Sequence, residues 1–184
     1  MSEIVNKIKY AMSLRTPQEE ALSYLDAISS HCDYKKDSKD DIEAAASEYC
    51  EKQRKVKAGF EFPSFCYAMA TGIGKTRLMG ASIYYLYKTK GYKHFFILAP
   101  GNTIYDKLRK ESNPNHPKYI FKGLEAEMGR PKVYDGENYD TYPIKYDQMT
   151  LIVEKTSDIQ LFIFNIGKIL SLIHISEPTR LQLI

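Results

Sequence analysis

The segment Met69-Ala70-Thr71-Gly72-Ile73-Gly74-Lys75-Thr76 constrains this chain more than any other. Two glycines followed by a lysine and a threonine suit a turn that opens a helix, where the first backbone N–H groups have no partner inside the helix. Upstream, Phe65-Cys66-Tyr67-Ala68-Met69 is a short apolar run suited to a buried strand, and downstream Leu78, Met79, Ile83 and Leu86 recur at helical spacing. The loop is therefore expected at a strand-to-helix junction. Helix N-termini offer donors and partial positive charge to phosphate oxygens. Thr71, Gly72, Ile73 and Gly74 would supply the backbone of such a cradle, Lys75 a point charge for the β and γ phosphates, and Thr76 a hydroxyl ligand for Mg²⁺. The expected cofactors are ATP and Mg²⁺. The strict G-x-x-x-x-G-K-[ST] pattern has glycine where this chain has Met69. The plainer reading, a Gly-rich turn with a surface lysine, is opposed by the apolar run and the helical pattern on either side.

The chain has 184 residues, enough for about one domain with a real core. With 43% apolar and 27% charged residues it matches neither a disordered nor a membrane class. The longest apolar stretches, such as Leu161-Phe162-Ile163-Phe164, fall far short of the ~18 residues a spanning helix needs, and Met1-Ser2-Glu3 does not open a secretory signal. No membrane association and a cytoplasmic location are expected. Cys32, Cys50 and Cys66 are odd in number and lack C-x-x-C spacing, which opposes a disulfide framework or a zinc cluster. His31 beside Cys32 imitates half a metal site, with no second pair at ligand spacing. A net charge of +3 neither requires nor opposes a phosphate backbone as partner.

Along the chain, Thr16-Pro17-Gln18-Glu19 reads as a helix start, with Thr16 as N-cap and Glu19 closing a capping box, followed by a helix to about Ile28 that buries Ala21, Leu22, Leu25 and Ile28. Residues 33–41 read as a charged loop, with Ser38 placed to cap a further helix. Lys93-His94-Phe95-Phe96-Ile97-Leu98-Ala99 reads as a second buried strand, closed by Pro100-Gly101, with Asn102 placed to cap a helix through Leu108. Strand, helix, strand, helix implies a parallel α/β sheet with ligand-binding loops at its carboxyl edge. Residues 111–150 read as an irregular excursion with short strands possible at Tyr119–Phe121 and Lys132–Tyr134. Regular structure is expected to resume at residues 150–153 and in the buried strand 159–165.

Four segments in order resemble the N-terminal motor domain of superfamily-two helicases, and most closely the restriction subunit of type III restriction enzymes. Leu14-Arg15-Thr16-Pro17-Gln18 is similar to an upstream glutamine motif, and Ala70-Thr71-Gly72-Ile73-Gly74-Lys75-Thr76 to motif I in its helicase-like form. Ile97-Leu98-Ala99-Pro100-Gly101-Asn102-Thr103-Ile104-Tyr105-Asp106-Lys107-Leu108 resembles motif Ia, and Phe162-Ile163-Phe164-Asn165-Ile166-Gly167-Lys168 a further stretch of that domain. The resemblance implies an incomplete RecA-like P-loop domain whose parallel sheet is flanked by helices. It implies Gln18 as reader of adenine, and Pro100, Gly101 and Asn102 as contacts to DNA. It also implies double-stranded DNA and a DNA-methyltransferase (modification) subunit as partners. Residues 1–60 would form a helical segment, and 61–170 part of the ATP-binding domain. The implied activity is ATP hydrolysis coupled to movement on DNA in a type III restriction-modification system.

A working motor also needs an apolar strand ending in Asp-Glu to hold Mg²⁺, and no such pair follows the phosphate loop; Leu151-Ile152-Val153-Glu154 lacks the aspartate. Turnover by this chain is expected to be very low. Residues 171–184 resemble translated sequencing-adaptor sequence, so a non-native tail and a natural chain that continues elsewhere are expected. Two other readings remain open: a non-catalytic nucleotide-binding scaffold, and an unrelated P-loop NTPase such as a small kinase.

Overall fold

The computed structural model describes residues 2–31, 40–42, 44, 65–139, 159–167 and 169. Two compact units divide the chain, Met1–Tyr85 and Leu86–Ile184. The boundaries expected at residues 60 and 170, the strand expected at 150–153 and the tail 171–184 lie outside the described residues.

In the first unit, α1 (Glu3–Met12) buries Val5, Ile8 and Met12, one stripe at helical spacing, and ends at Ser13 in the left-handed region (φ 50°). The chain turns at once into α2 (Thr16–His31). Ala21, Leu22, Leu25 and Ile28 form its buried stripe, as their spacing predicts. The cap differs from the expected one. The carbonyl of Arg15 accepts from the N–H groups of Gln18 and Glu19 (2.9 and 3.0 Å), which makes Arg15 the N-cap and puts Thr16 inside the helix. Gln18 then stands at the third helical position, and its Oε1 accepts from the Arg15 N–H (2.8 Å), the returning half of a capping box. Glu19 is left to pair with Lys9 of α1 (2.6 Å), and that carboxylate raises the Lys9 pKa. Helix α3 (Lys75–Lys90) runs across the division and buries Leu78, Ala81, Ile83, Tyr84 and Tyr85. Within the first unit the Tyr85 hydroxyl donates to Asp26 of α2 (3.0 Å), and the Arg77 guanidinium donates to the carbonyl of Met12 (2.8 Å).

The expected strand at 65–69 does not form: the segment carries no strand pairing, and Phe65, Cys66 and Ala68 are exposed. Five apolar residues make a strand only where a neighbouring strand accepts their backbone hydrogen bonds, and local propensity does not supply that neighbour.

In the second unit, β1 (His94–Ala99), α4 (Asn102–Glu111), the short α5 (Glu125–Met128), β2 (Lys132–Asp135) and β3 (Gln160–Asn165) follow in order. The sheet order is β1-β3-β2 and both pairings are parallel, with Phe96 and Tyr134 opposite Phe162 and Ala99 opposite Asn165. Parallel strands joined through a helix form an incomplete RecA-like α/β domain. Helix α4 lies against the face that carries Ile163 and Asp135, because its Arg109 pairs with Asp135. On the opposite face Phe96, Phe162 and Tyr134 stack across the three strands at centroid distances of 4.7 and 5.2 Å. Strand β1 is only half buried: Ile97 and Ala99 are covered, while Phe96 is 68% and Leu98 51% exposed. It stands at one edge of the described sheet, where its apolar run reads as more buried than it is.

The stretch after Glu111 is less of an excursion than its composition suggests. It contributes β2 to the sheet, and Tyr119, Ile120, Phe121, Leu124 and Met128 to the core. Tyr119–Phe121 is buried in turns and forms no strand, with the Ile120 N–H donating to the carbonyl of Glu111 (2.9 Å).

Candidate functional site

Two glycines shape the loop that precedes α3. Gly72 and Gly74 have φ of 80° and 96°, a region that L side chains rarely adopt. A Cβ on Gly72 would meet no atom within 4 Å, so the space over that residue is open. A Cβ on Gly74 would stand 2.6 Å from Gln18 Nε2. The helix begins at Lys75, immediately after the second glycine, with the Leu78 N–H donating to the carbonyl of Gly74 (3.1 Å). Lys75 is exposed on the first turn, and Thr76 beside it is half buried. Thr71 and Gly72 are exposed, and Ile73 is half buried. The structure therefore gathers Thr71 to Thr76 into one turn, open to solvent at Thr71, Gly72, Gly74 and Lys75, whose glycines carry no side chain over the backbone. No acidic residue lies in the first turn of α3, so the positive end of the helix is not neutralised from within.

Gln18 is 2% exposed, and both ends of its amide are engaged. Oε1 accepts from Arg15 N–H, and Nε2 donates to the carbonyl of Gly74 (2.9 Å). The residue singled out from the sequence thus touches the glycine turn directly, and one of its two Nε2 hydrogens is engaged by the Gly74 carbonyl.

The second candidate site lies at the carboxyl edge of the sheet in the other unit. Pro100 and Asn102 are exposed, between the end of β1 and the start of α4. Gly101, and not Asn102, is the N-cap of α4; it is extended (φ −163°, ψ 166°) and makes no side-chain cap. The Asn102 side chain is instead held from β3: its Oδ1 accepts from Asn165 Nδ2 (2.6 Å). Asn165 escaped the sequence reading as a site residue. The available signal was an amide ending an otherwise apolar strand of the sheet. At the other end of α4, Arg109 binds Asp135 (2.7 Å) and forks onto Glu137 (2.9 and 2.8 Å), which raises its pKa, first through the Glu137 hydrogen bond. A cleft of about 820 Å³ opens there between α4, residues 112–117 and β2, and none of the sequence-predicted site residues lines it. In that cleft the Arg109 guanidinium is already paired with two carboxylates.

Among the described residues, no group of three or more His, Cys, Asp or Glu is placed to hold a metal ion, and Cys66 is a free, exposed thiol. No helix of the described residues is long and apolar enough to cross a membrane.

The sequence profile of the family described as "Type III restriction enzyme, res subunit" matches residues 11–180. A curated relative, the "Probable type III restriction-modification enzyme HindVIP Res subunit" of Haemophilus influenzae, is 44% identical over 54 residues, 29% of this chain and 10% of the relative. The matched stretch thus spans about a tenth of that protein's length. No solved structure matches the chain. With a glycine turn opening a helix, a parallel α/β sheet and a family match along most of its length, the chain belongs to the type III restriction enzyme res-subunit family.

Proposed function

We propose that this chain is the ATP-binding, helicase-like part of a type III restriction-modification system, using ATP and Mg²⁺ at Thr71–Thr76 and contacting DNA through Pro100, Gly101 and Asn102. The observation that carries the reading is the turn itself: two left-handed glycines, open space over Gly72, and a helix that starts at Lys75. Lys75 would reach the β and γ phosphates, and Thr76 would supply one oxygen to Mg²⁺, which neutralises developing phosphate charge. The backbone of Gly72 to Thr76 would bind the triphosphate through its N–H groups.

Gln18 reads adenine in this proposal through the second hydrogen of its Nε2 while the first stays on the Gly74 carbonyl, so that base recognition and the phosphate loop share one amide. Double-stranded DNA is the polymer the complete motor moves on, and a DNA-methyltransferase subunit is its partner. The chain offers no Asp-Glu pair after Thr76, which supports nucleotide binding with very low turnover by this chain.

Calorimetry with a non-hydrolysable ATP analogue and Mg²⁺ tests the reading. The 184-residue chain is expected to bind, and Lys75→Ala to lose binding with an unchanged thermal midpoint. Equal heats for the two proteins would remove the phosphate loop from the proposal. Vigorous DNA-stimulated ATPase would show that a carboxylate elsewhere serves the metal.

A further inference from the structure

Asn165 ends β3 directly opposite Ala99 of β1, and from Ala99 the chain leads through Pro100 and Gly101 to Asn102. Asn165 is 7% exposed, and its side chain makes two hydrogen bonds of opposite sense. Oδ1 accepts from the N–H of Gly167 (2.7 Å), and Nδ2 donates to Oδ1 of Asn102 (2.6 Å). The order of these bonds fixes both amides. A backbone N–H can only donate, so the oxygen of Asn165 must face Gly167 and its NH₂ must face away. That NH₂ needs an acceptor, so the oxygen of Asn102 must face Asn165. The exposed Asn102 is left with its own NH₂ turned outward.

A phosphate oxygen is an acceptor only, and an unrestrained asparagine must give up its freedom of amide orientation to present its NH₂ to it, a loss that an amide already held with its donors outward avoids. We propose that Asn165 is a positioning residue for the DNA contact: through the polarity set by the Gly167 N–H, it holds the amide of Asn102 with its donors outward, toward a backbone phosphate. This inference rests on the reading of Pro100–Asn102 as a DNA contact, and it adds a residue of β3 that acts through Asn102.

Anisotropy of a fluorescein-labelled duplex, titrated with the 184-residue chain and its variants, tests it. Asn102→Ala is expected to weaken binding about tenfold or more, the loss of one hydrogen bond to an anionic acceptor, and Asn165→Ala about two- to fivefold, the loss of its orientation. Asn165→Asp is expected to weaken it more than Asn165→Ala. Its carboxylate still accepts from Gly167 but draws the NH₂ of Asn102 inward and turns an oxygen to the phosphate. In the Asn102→Ala background, Asn165→Ala is expected to have no further effect, and Asn165→Asp only the effect of its added charge, which disappears at high salt. A purely structural role would leave the two effects additive, and additivity overturns the proposal. So does an Asn165→Ala protein that binds as the parent does. If Asn165→Ala fails to fold by thermal denaturation, Asn165→Asp in both backgrounds carries the cycle. A parent chain that binds no duplex removes the DNA reading and this proposal with it. Binding weakened by Asn102→Ala but uncoupled from residue 165 removes this proposal alone.

Discussion

The side-chain amide of Gln18 donates to the main-chain carbonyl of Gly74 across 2.9 Å, tying the start of one helix to the loop that opens another. The same amide closes its own helix end by accepting from Arg15 N–H. A residue at 2% exposure with both polar ends engaged is costly to truncate, because its buried side chain gives up two hydrogen bonds and leaves a gap between helix and loop. Gln18→Ala is expected to destabilise the protein by about 1–3 kcal/mol. Urea unfolding should show a lower midpoint with an unchanged slope. An unchanged midpoint would mean that water replaces the amide at no cost.

The two loop glycines should differ in what they tolerate. Gly72→Ala meets only backbone strain, since its Cβ points into open space, and is expected to cost about 1–2 kcal/mol. Gly74→Ala meets strain at φ 96° and also a contact of 2.6 Å with Gln18 Nε2, so its cost should be larger. Shortening Gln18 to Ala in the same chain should recover the steric part of that cost and leave the strain. Denaturant midpoints of the four proteins check the order, and equal costs at both glycines would refute it.

Base selectivity should report on Gln18 as well. If its Nε2 is shared between Gly74 and adenine, Gln18→Ala is expected to narrow the preference for ATP over GTP by about three- to tenfold, the value of one neutral hydrogen bond. Competitive binding of the two nucleotides measures this. A preference that survives the substitution would assign adenine recognition elsewhere.

Arg109 in the second unit guards a carboxylate. The Asp135 side chain is 9% exposed and Arg109 is its ion-pair partner at 2.7 Å. Arg109→Ala is expected to destabilise by about 2–3 kcal/mol, below the value for a fully buried pair because Arg109 itself is 30% exposed. Asp135→Asn in the same chain should return part of the loss by removing the stranded charge. Thermal midpoints in low and high salt provide the measurement, and a single variant as stable as the parent would contradict it.

Tyr119 should make stability fall in alkali. Burial, with a smaller contribution from Glu125, pushes its phenol up to about 12 from an ordinary value of 10.0. The neutral phenol is therefore favoured by folding: its contribution is complete below pH 10 and is lost as pH rises toward 12, because only the unfolded chain releases the proton in that window. Tyr119→Phe is expected to flatten the decline in unfolding midpoint over that range. An identical slope in the variant would show that Tyr119 does not carry it.

Local patterns determined a large part of this protein. Gly72, Gly74, Lys75 and Thr76 announce a helix opening at Lys75, because glycine alone takes up left-handed φ without strain and because a helix start is a local event. The spacing of Leu22, Leu25 and Ile28, and the apolar run of β3, likewise carry their own burial. What required the tertiary structure is partnership. Nothing local tells that Phe65–Met69 lacks a strand neighbour among the described residues, that β1 is left half exposed, or that Lys132–Asp135 pairs beside β3. Gln18 meets Gly74, and Asn165 meets Asn102, across 56 and 63 residues of chain. A hydrogen bond takes its worth from the burial and orientation of both ends, and only folding brings those ends together.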